Sequence, residues 1–260
     1  MSAAGIIPKH KKKAMRRIVR DISNASEIES LGIYVSSNPD NIFEARALII
    51  GPEKTPYENG YFLFHITFPD NYPFNSPTVK FMTGDGKTRF HPNLYIKGKV
   101  CLSILGTWQG PSWTSSQSLS SVLTTIQSLL DDNPLRNEPG FQHGKGKRYV
   151  LYNNVVRHAV YATSVMIQLE KCPKHFEALY PHMKKHFIEN FDWFICKLNE
   201  LAEKYDGNIE KSSVYGTPSV KYDYRGILNG LIEVHNGFTG GDSMIVTADT
   251  LKFVSNAVVV

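Results

Sequence analysis

The residues best suited to chemistry lie in one short stretch, RFHPNLYIKGKVCLSIL, from Arg89 to Leu105. It carries His91, Pro92 and Asn93, and eight residues past the asparagine comes Cys101, one of three cysteines in the chain. A free thiol titrates near 8.5, and only its thiolate is a strong nucleophile. Lys97 and Lys99 place positive charge beside the sulfur, while Ser103 and Thr107 keep the following segment polar. That pattern points to an exposed, activated thiol; the bland alternative is a small buried hydrophobe. A Cys–His protease needs an imidazole within reach of the sulfur. His91 directly precedes Pro92, a place that suits bracing a turn, and no orienting carboxylate stands close by. His91 and Pro92 therefore read as structural. A thiol without a dedicated base suits another task, holding an acyl group as a thioester and handing it to an amine. Asn93 sits in the proline-constrained turn, and its side-chain amide has two open uses. It donates to a developing oxyanion, or it holds the loop by bonding to backbone.

The elements around this stretch change period along the chain. Between Lys11 and Glu29, Met15, Ile18, Val19 and Ile22 recur at helical spacing with basic residues between them, an amphipathic helix. GIYVSS, FEARALII, YFLFHITF and TVKFMT then read as four strands, separated by turn-rich NPDN, GPEKTPYENG and PDNYPFNSP. Such short connections favour an antiparallel meander over helix-linked parallel strands. After Cys101 comes an irregular loop, GTWQGPSWTSS, and then a helix with Leu119, Val122, Leu123, Ile126, Leu129 and Leu130 on one face, ended by DDNPLRNEPG. From Tyr149 to about Tyr205 the composition predicts two or three packed helices, interrupted by Pro173 and Pro181. KYDYRGILNGLIEV predicts a further short helix, and the apolar end TLKFVSNAVVV has no clear assignment.

Bulk properties narrow the class. No apolar run reaches the roughly 18 residues that cross a bilayer, and MSAAGIIPKHKKK lacks the apolar core of a secretory leader. Membrane attachment is not expected. Cys101, Cys172 and Cys196 are odd in number and widely spaced, without a CxxC pair, so neither a disulfide framework nor a zinc site is expected. A reducing compartment follows, cytoplasmic or nuclear. Seven Lys or Arg residues fall between Lys9 and Arg20 within a net charge of +5. No aromatic stripe accompanies them, which weighs against nucleic acid as partner. HMKKH sets His182 and His186 four apart, but no glutamate follows the first histidine and no third ligand is near, so no metal is expected. Phe187, Phe191, Phe194 and Leu198 fall at helical spacing and read as core.

Taken in order, these features resemble the ubiquitin-conjugating enzyme family. The matching stretches are a basic first helix, GPEKTPYENGYFLFHITFPDNYPFNSPTVKF, HPN with the cysteine eight residues on, a tryptophan, and an amphipathic helix, over roughly Lys11 to Pro139. The long GKVCLSILGTWQGPSW, the NEPGF after the helix and the tail with KYDYRGIL resemble the branch of that family that carries a carboxy-terminal extension. The resemblance implies an α+β fold: an N-terminal helix, a four-stranded antiparallel meander, the active-site segment and helices, over residues 11–160. A mainly helical C-terminal extension follows over 161–260.

The resemblance also implies an activity. Cys101 accepts ubiquitin or a ubiquitin-like modifier from an activating enzyme, of the less common type, and passes it to substrate lysines, with a ubiquitin ligase as a further partner. No cofactor is bound; ATP is consumed by the activating enzyme upstream. Lys12, Lys13, Arg16 and Arg17 match the place that meets the activating enzyme, and Phe74 the aromatic that ligases grip. WTSSQ stands where the family has Ser-Pro-Ala after tryptophan, and Ser103 where it has an acid. Asn137 or Glu138 occupies the place of a second acid; Glu138 is the candidate to assist the incoming lysine, and an ordinary loop carboxylate is the alternative. The inserted residues from Gly106 to Pro111 lengthen the loop beside Cys101, where they would screen a thioester from water. The competing implication is a catalytically silent module of the same fold that binds ubiquitin or a partner enzyme without carrying it.

Overall fold

The structure, a computed structural model, describes residues 8–211, 214–216 and 219–240; TLKFVSNAVVV lies outside them. Helix α1 spans Lys9–Asn24 and buries Ala14 and Ile18 on its apolar face; a 3₁₀ turn over Ala25–Leu31 leads into the sheet. Strands β1 (Ile33–Ser37), β2 (Glu44–Ile50), β3 (Tyr61–Thr67) and β4 (Thr78–Phe81) form the antiparallel meander the sequence predicts, in chain order. The register sets Ala47 opposite Phe64 and Leu48 opposite Leu63. Because side chains alternate across a strand, Ala45, Ala47, Ile49, Phe62, Phe64, Ile66 and Phe81 share one face. That face is buried in the main core.

Helix α2 (Leu119–Leu129) opens on a reciprocal cap, Ser118 and Ser121 each bonding the other's backbone N–H, and joins the same core through Leu119, Val122, Leu123 and Ile126. A buried carboxylate fixes α1 against it. Asp21 accepts from Arg17 Nε at 2.7 Å, from the Leu119 N–H at 3.3 Å and from the Tyr72 hydroxyl. A buried charge needs this many partners to offset its lost hydration.

The second half is helical, as expected, and larger in its elements than the sequence pattern suggests. Helix α3 (Lys147–Ala159) runs without a break through a π-helical stretch (Val160–Ile167) into α4 (Gln168–Glu170), so the expected division between 160 and 161 falls inside a continuous helical rod. The phenylalanine run is two helices, α5 (Tyr180–Glu189) and α6 (Phe191–Tyr205), turning at Asn190. A two-residue pair, β5 (Ile209–Glu210) and β6 (Val220–Lys221), precedes α7 (Tyr224–Thr239), which Asp223 caps through the Gly226 N–H.

These helices cover the other face of the sheet. His182 stacks on Tyr34 at 4.2 Å, His186 Nδ1 meets the Tyr61 hydroxyl at 3.1 Å, and the Arg46 guanidinium lies 6.0 Å from the Phe176 ring centre. His182 and His186 are thus ring partners of the sheet. Ser164 and Gln168 both donate to the Tyr61 carbonyl, at 2.9 and 3.0 Å. Gly60 lets the rod come this close: a Cβ there would lie 2.7 Å from Val160 Cγ1.

Candidate active site

The bend at Arg89–Asn93 is held by its own carbonyl groups, each with a donor. The Arg89 carbonyl accepts from the Tyr152 hydroxyl at 2.8 Å and the Phe90 carbonyl from the Tyr57 hydroxyl at 2.6 Å. The His91 carbonyl accepts from the Leu94 N–H at 3.0 Å, the Pro92 carbonyl from Arg89 Nη2, and the Asn93 carbonyl from the Cys101 N–H at 2.9 Å. Saturated carbonyls make a buried bend rigid, since any movement strands a polar group away from water. Gly98, at φ 91°, lets the loop after the bend lie on β4, where a Cβ would meet the Phe81 carbonyl at 2.7 Å.

His91 is fully buried, and its Nδ1 accepts from the Asn93 N–H at 2.9 Å. Burial, and next the charge of Arg89, lower its pKa to about 3, so the ring is neutral. Its Nε2 faces the Leu129 backbone without hydrogen-bond geometry. His91 and Pro92 therefore sit where a turn brace belongs.

Asn93 and Cys101 are bonded twice. Besides the backbone bond, Asn93 Nδ2 donates to the Cys101 carbonyl at 2.8 Å. Of the two uses open to the amide, this is the brace. The amide nitrogen carries a second hydrogen, so bracing does not exhaust it. The expectation of an exposed thiol is corrected: Cys101 is 1% exposed. The physical reason lies in its neighbours. Val100 and Leu102 are buried apolar anchors, and Thr107 clamps the strand across the cysteine, its hydroxyl accepting from the Leu102 N–H at 2.9 Å and facing the Val100 carbonyl at 2.7 Å. Lys97 and Lys99 are exposed, and Lys99 lies over the Tyr95 ring at 5.6 Å. From Gly106 to Pro111 the inserted loop is exposed throughout, with Gly110 folded back on Ser103.

Glu138 is half-buried and accepts from the hydroxyl of Tyr215, contributed by the extension; the tyrosine's pKa is raised by burial and by that bond. Asn137 donates to Asp131 at 2.9 Å. Asp131 itself, whose carboxyl is raised by burial, is an acid near this site that the sequence pattern gave no reason to single out.

At the other surfaces, Lys12, Lys13 and Arg16 are exposed on α1. Arg17 is corrected out of that set: besides Asp21, its guanidinium donates to the Ser115 carbonyl at 3.0 Å and the Gln117 carbonyl at 2.5 Å, anchoring the loop that enters α2. Phe74 is 73% exposed, beside Trp113, whose indole N–H donates to the Pro73 carbonyl at 2.7 Å.

The meander flanked by helices and the cysteine bonded to the HPN bend lie within one family match. The family model "Ubiquitin-conjugating enzyme" matches residues 17–159. This chain belongs to the ubiquitin-conjugating enzyme family. Within it the chain is similar to ubiquitin-conjugating enzyme E2 Z of Danio rerio, 41% identical over 233 residues, covering 86% of this chain and 68% of that protein. The E2 Z proteins of Xenopus tropicalis (84% of this chain, 70% of that protein) and Homo sapiens (83% and 61%) are each 40% identical. The resemblance to the Z-type branch that the extended tail carries is borne out by these relatives.

Proposed function

We propose that the chain carries ubiquitin or a ubiquitin-like modifier as a thioester on Cys101. The Cys101 thiolate attacks the thioester carbonyl presented by an activating enzyme, whose own thiolate leaves. A substrate lysine amine then attacks the new thioester; an isopeptide bond forms, the Cys101 thiolate departs and the amine loses a proton. ATP is spent upstream, on the activating enzyme, and no cofactor is needed at Cys101. The observation that carries this reading is the pair of hydrogen bonds between Asn93 and Cys101, which ties the bend and the cysteine's backbone into one rigid unit and keeps the amide on the residue that bears the nucleophile. An amide donor to an oxyanion is worth about 2.7–4 kcal/mol.

Loading requires the sulfur to be uncovered. Beyond the Thr107 clamp, the exposed inserted residues from Trp108 to Pro111 move at least cost, having little buried surface to lose. Lys12, Lys13 and Arg16 would steer the activating enzyme, mainly by raising the encounter rate, and Phe74 with Trp113 offers an apolar point for a ligase. The reaction belongs in the cytoplasm or nucleus. The burial of Cys101 favours the second reading, a binding module that carries nothing.

One assay decides. The chain, ATP, a modifier and each of the two types of activating enzyme are incubated and run on a non-reducing gel. A thiol-sensitive, mass-shifted band, lost in Cys101→Ala and kept in Cys172→Ala and Cys196→Ala, is expected. No band with either enzyme favours the binding module instead.

A further inference from the structure

Arg89 connects the bend to a part of the chain far beyond the family match. Its Nη2 holds the Pro92 carbonyl, and its guanidinium lies over two rings, Tyr95 at 3.6 Å and Tyr215 at 4.5 Å. Tyr95 belongs to the loop that follows the bend. Tyr215 belongs to the connection between β5 and β6, where its ring also meets Tyr152 edge-on at 5.9 Å and its hydroxyl bonds Glu138. Tyr152 in turn donates to the Arg89 carbonyl. One residue of the extension therefore touches both groups, Arg89 and Tyr152, that hold the start of the bend, and also the loop after α2.

We propose that Tyr215 is a positioning residue for transfer: it keeps the Arg89 guanidinium flat against the bend, and through it the Asn93 amide in register with Cys101. The residue acts through Arg89 and touches neither thioester nor amine. An arginine stacked on one ring only is free to swing toward water, where its charge is better hydrated; the second ring removes that freedom. The bend would then lose the donor on the Pro92 carbonyl, next to Asn93. Loading depends mainly on the sulfur and on docking to the activating enzyme, whereas attack by an amine depends on the oxyanion donor. The two half-reactions should therefore respond differently.

This inference rests on Cys101 being the carrier, and the test separates the two. In the full chain, Tyr215→Ala is expected to load at about the wild-type rate, within about twofold, and to discharge to free lysine about tenfold more slowly. Its amides over residues 89–94 should exchange with deuterium about tenfold faster. Tyr215→Phe keeps the ring over Arg89 and should stay within about twofold of wild type in all three measurements. Wild-type discharge and wild-type exchange in Tyr215→Ala would overturn the proposal, as would equal slowing of loading and discharge. Tyr215→Phe losing as much as Tyr215→Ala would also overturn it, since the stack would then not be the cause. A wild-type chain that never loads, with exchange over 89–94 unchanged by Tyr215→Ala, removes both the carrier reading and this one; no loading with faster exchange removes the carrier reading and with it the role in transfer, leaving only the hold of Tyr215 on the bend.

Discussion

At the scale of single residues, the bend is assembled so that each of its carbonyl groups has a donor. His91 shows the consequence for pH. Its ring accepts from the Asn93 N–H while fully buried, and its folded pKa of about 3 lies below the ordinary 6.5. The unfolded chain therefore binds more protons below pH 6.5, and stability falls as pH drops from about 6.5 toward 3. At pH 5 the His91 contribution to that loss is about 2 kcal/mol. His65, His158, His186 and His235 are lowered too, chiefly by burial, and add in the same direction. Urea midpoints at pH 7 and pH 5 should drop accordingly in the wild type. The drop should be smaller in His91→Gln, which has no proton to take up; an equal drop in both would show that His91 does not carry this share. Cys101 makes the opposite point. Its burial follows from apolar neighbours on both sides and the Thr107 clamp, all of them local, yet polar residues further along the loop suggested exposure.

At the scale of elements, α1 and α2 are joined by a charge where apolar packing alone would leave them free to slide. Asp21 is 3% exposed and meets Arg17, Tyr72 and the first turn of α2. Asp21→Ala leaves the Arg17 guanidinium and the Tyr72 hydroxyl without their carboxylate, and removing one partner of a buried pair costs about 3–5 kcal/mol. Chemical denaturation of Asp21→Ala should show a loss of that order; a loss below about 1 kcal/mol, the level of an exposed pair, would mean that water replaces the carboxylate. Arg17 also explains what could and could not be read from sequence. The strands, their order and the α2 face were legible because periods of 2 and 3.6 declare a buried face locally. Lys12, Lys13, Arg16 and Arg17 look alike in the sequence, and only the arrival of Ser115 and Gln117 beside α1 takes Arg17 out of the exposed set. The HPN bend and Cys101 were likewise legible as a pair from their spacing. Arg89, Tyr57, Tyr152 and Tyr215, which hold the bend, were not, because their partners come from segments that only the fold brings together.

At the scale of the whole molecule, the extension is a second wall of the sheet. β2 and β3 bury both faces: Ala47 and Phe64 look into the main core, while Leu48, Leu63 and Tyr61, on the opposite face, are each 2% exposed or less. Their cover is the rod from α3 to α4 with α5, through Ser164, Gln168 and His186 on Tyr61 and through His182 on the neighbouring Tyr34. A chain ending at Ala159, where the family match stops, would bare this face. Exposing a large apolar side chain costs about 1.5–3 kcal/mol, so Leu48, Leu63 and Tyr61 together cost on the order of 5 kcal/mol or more. A whole domain has only about 5–15 kcal/mol of net stability. Residues 1–159 are therefore expected to unfold far below the full chain's transition, or to associate through the bared strands. Thermal melting with size-exclusion chromatography checks this. A monomer of 1–159 melting within a few degrees of the full chain would mean that the sheet does not need the extension for its stability.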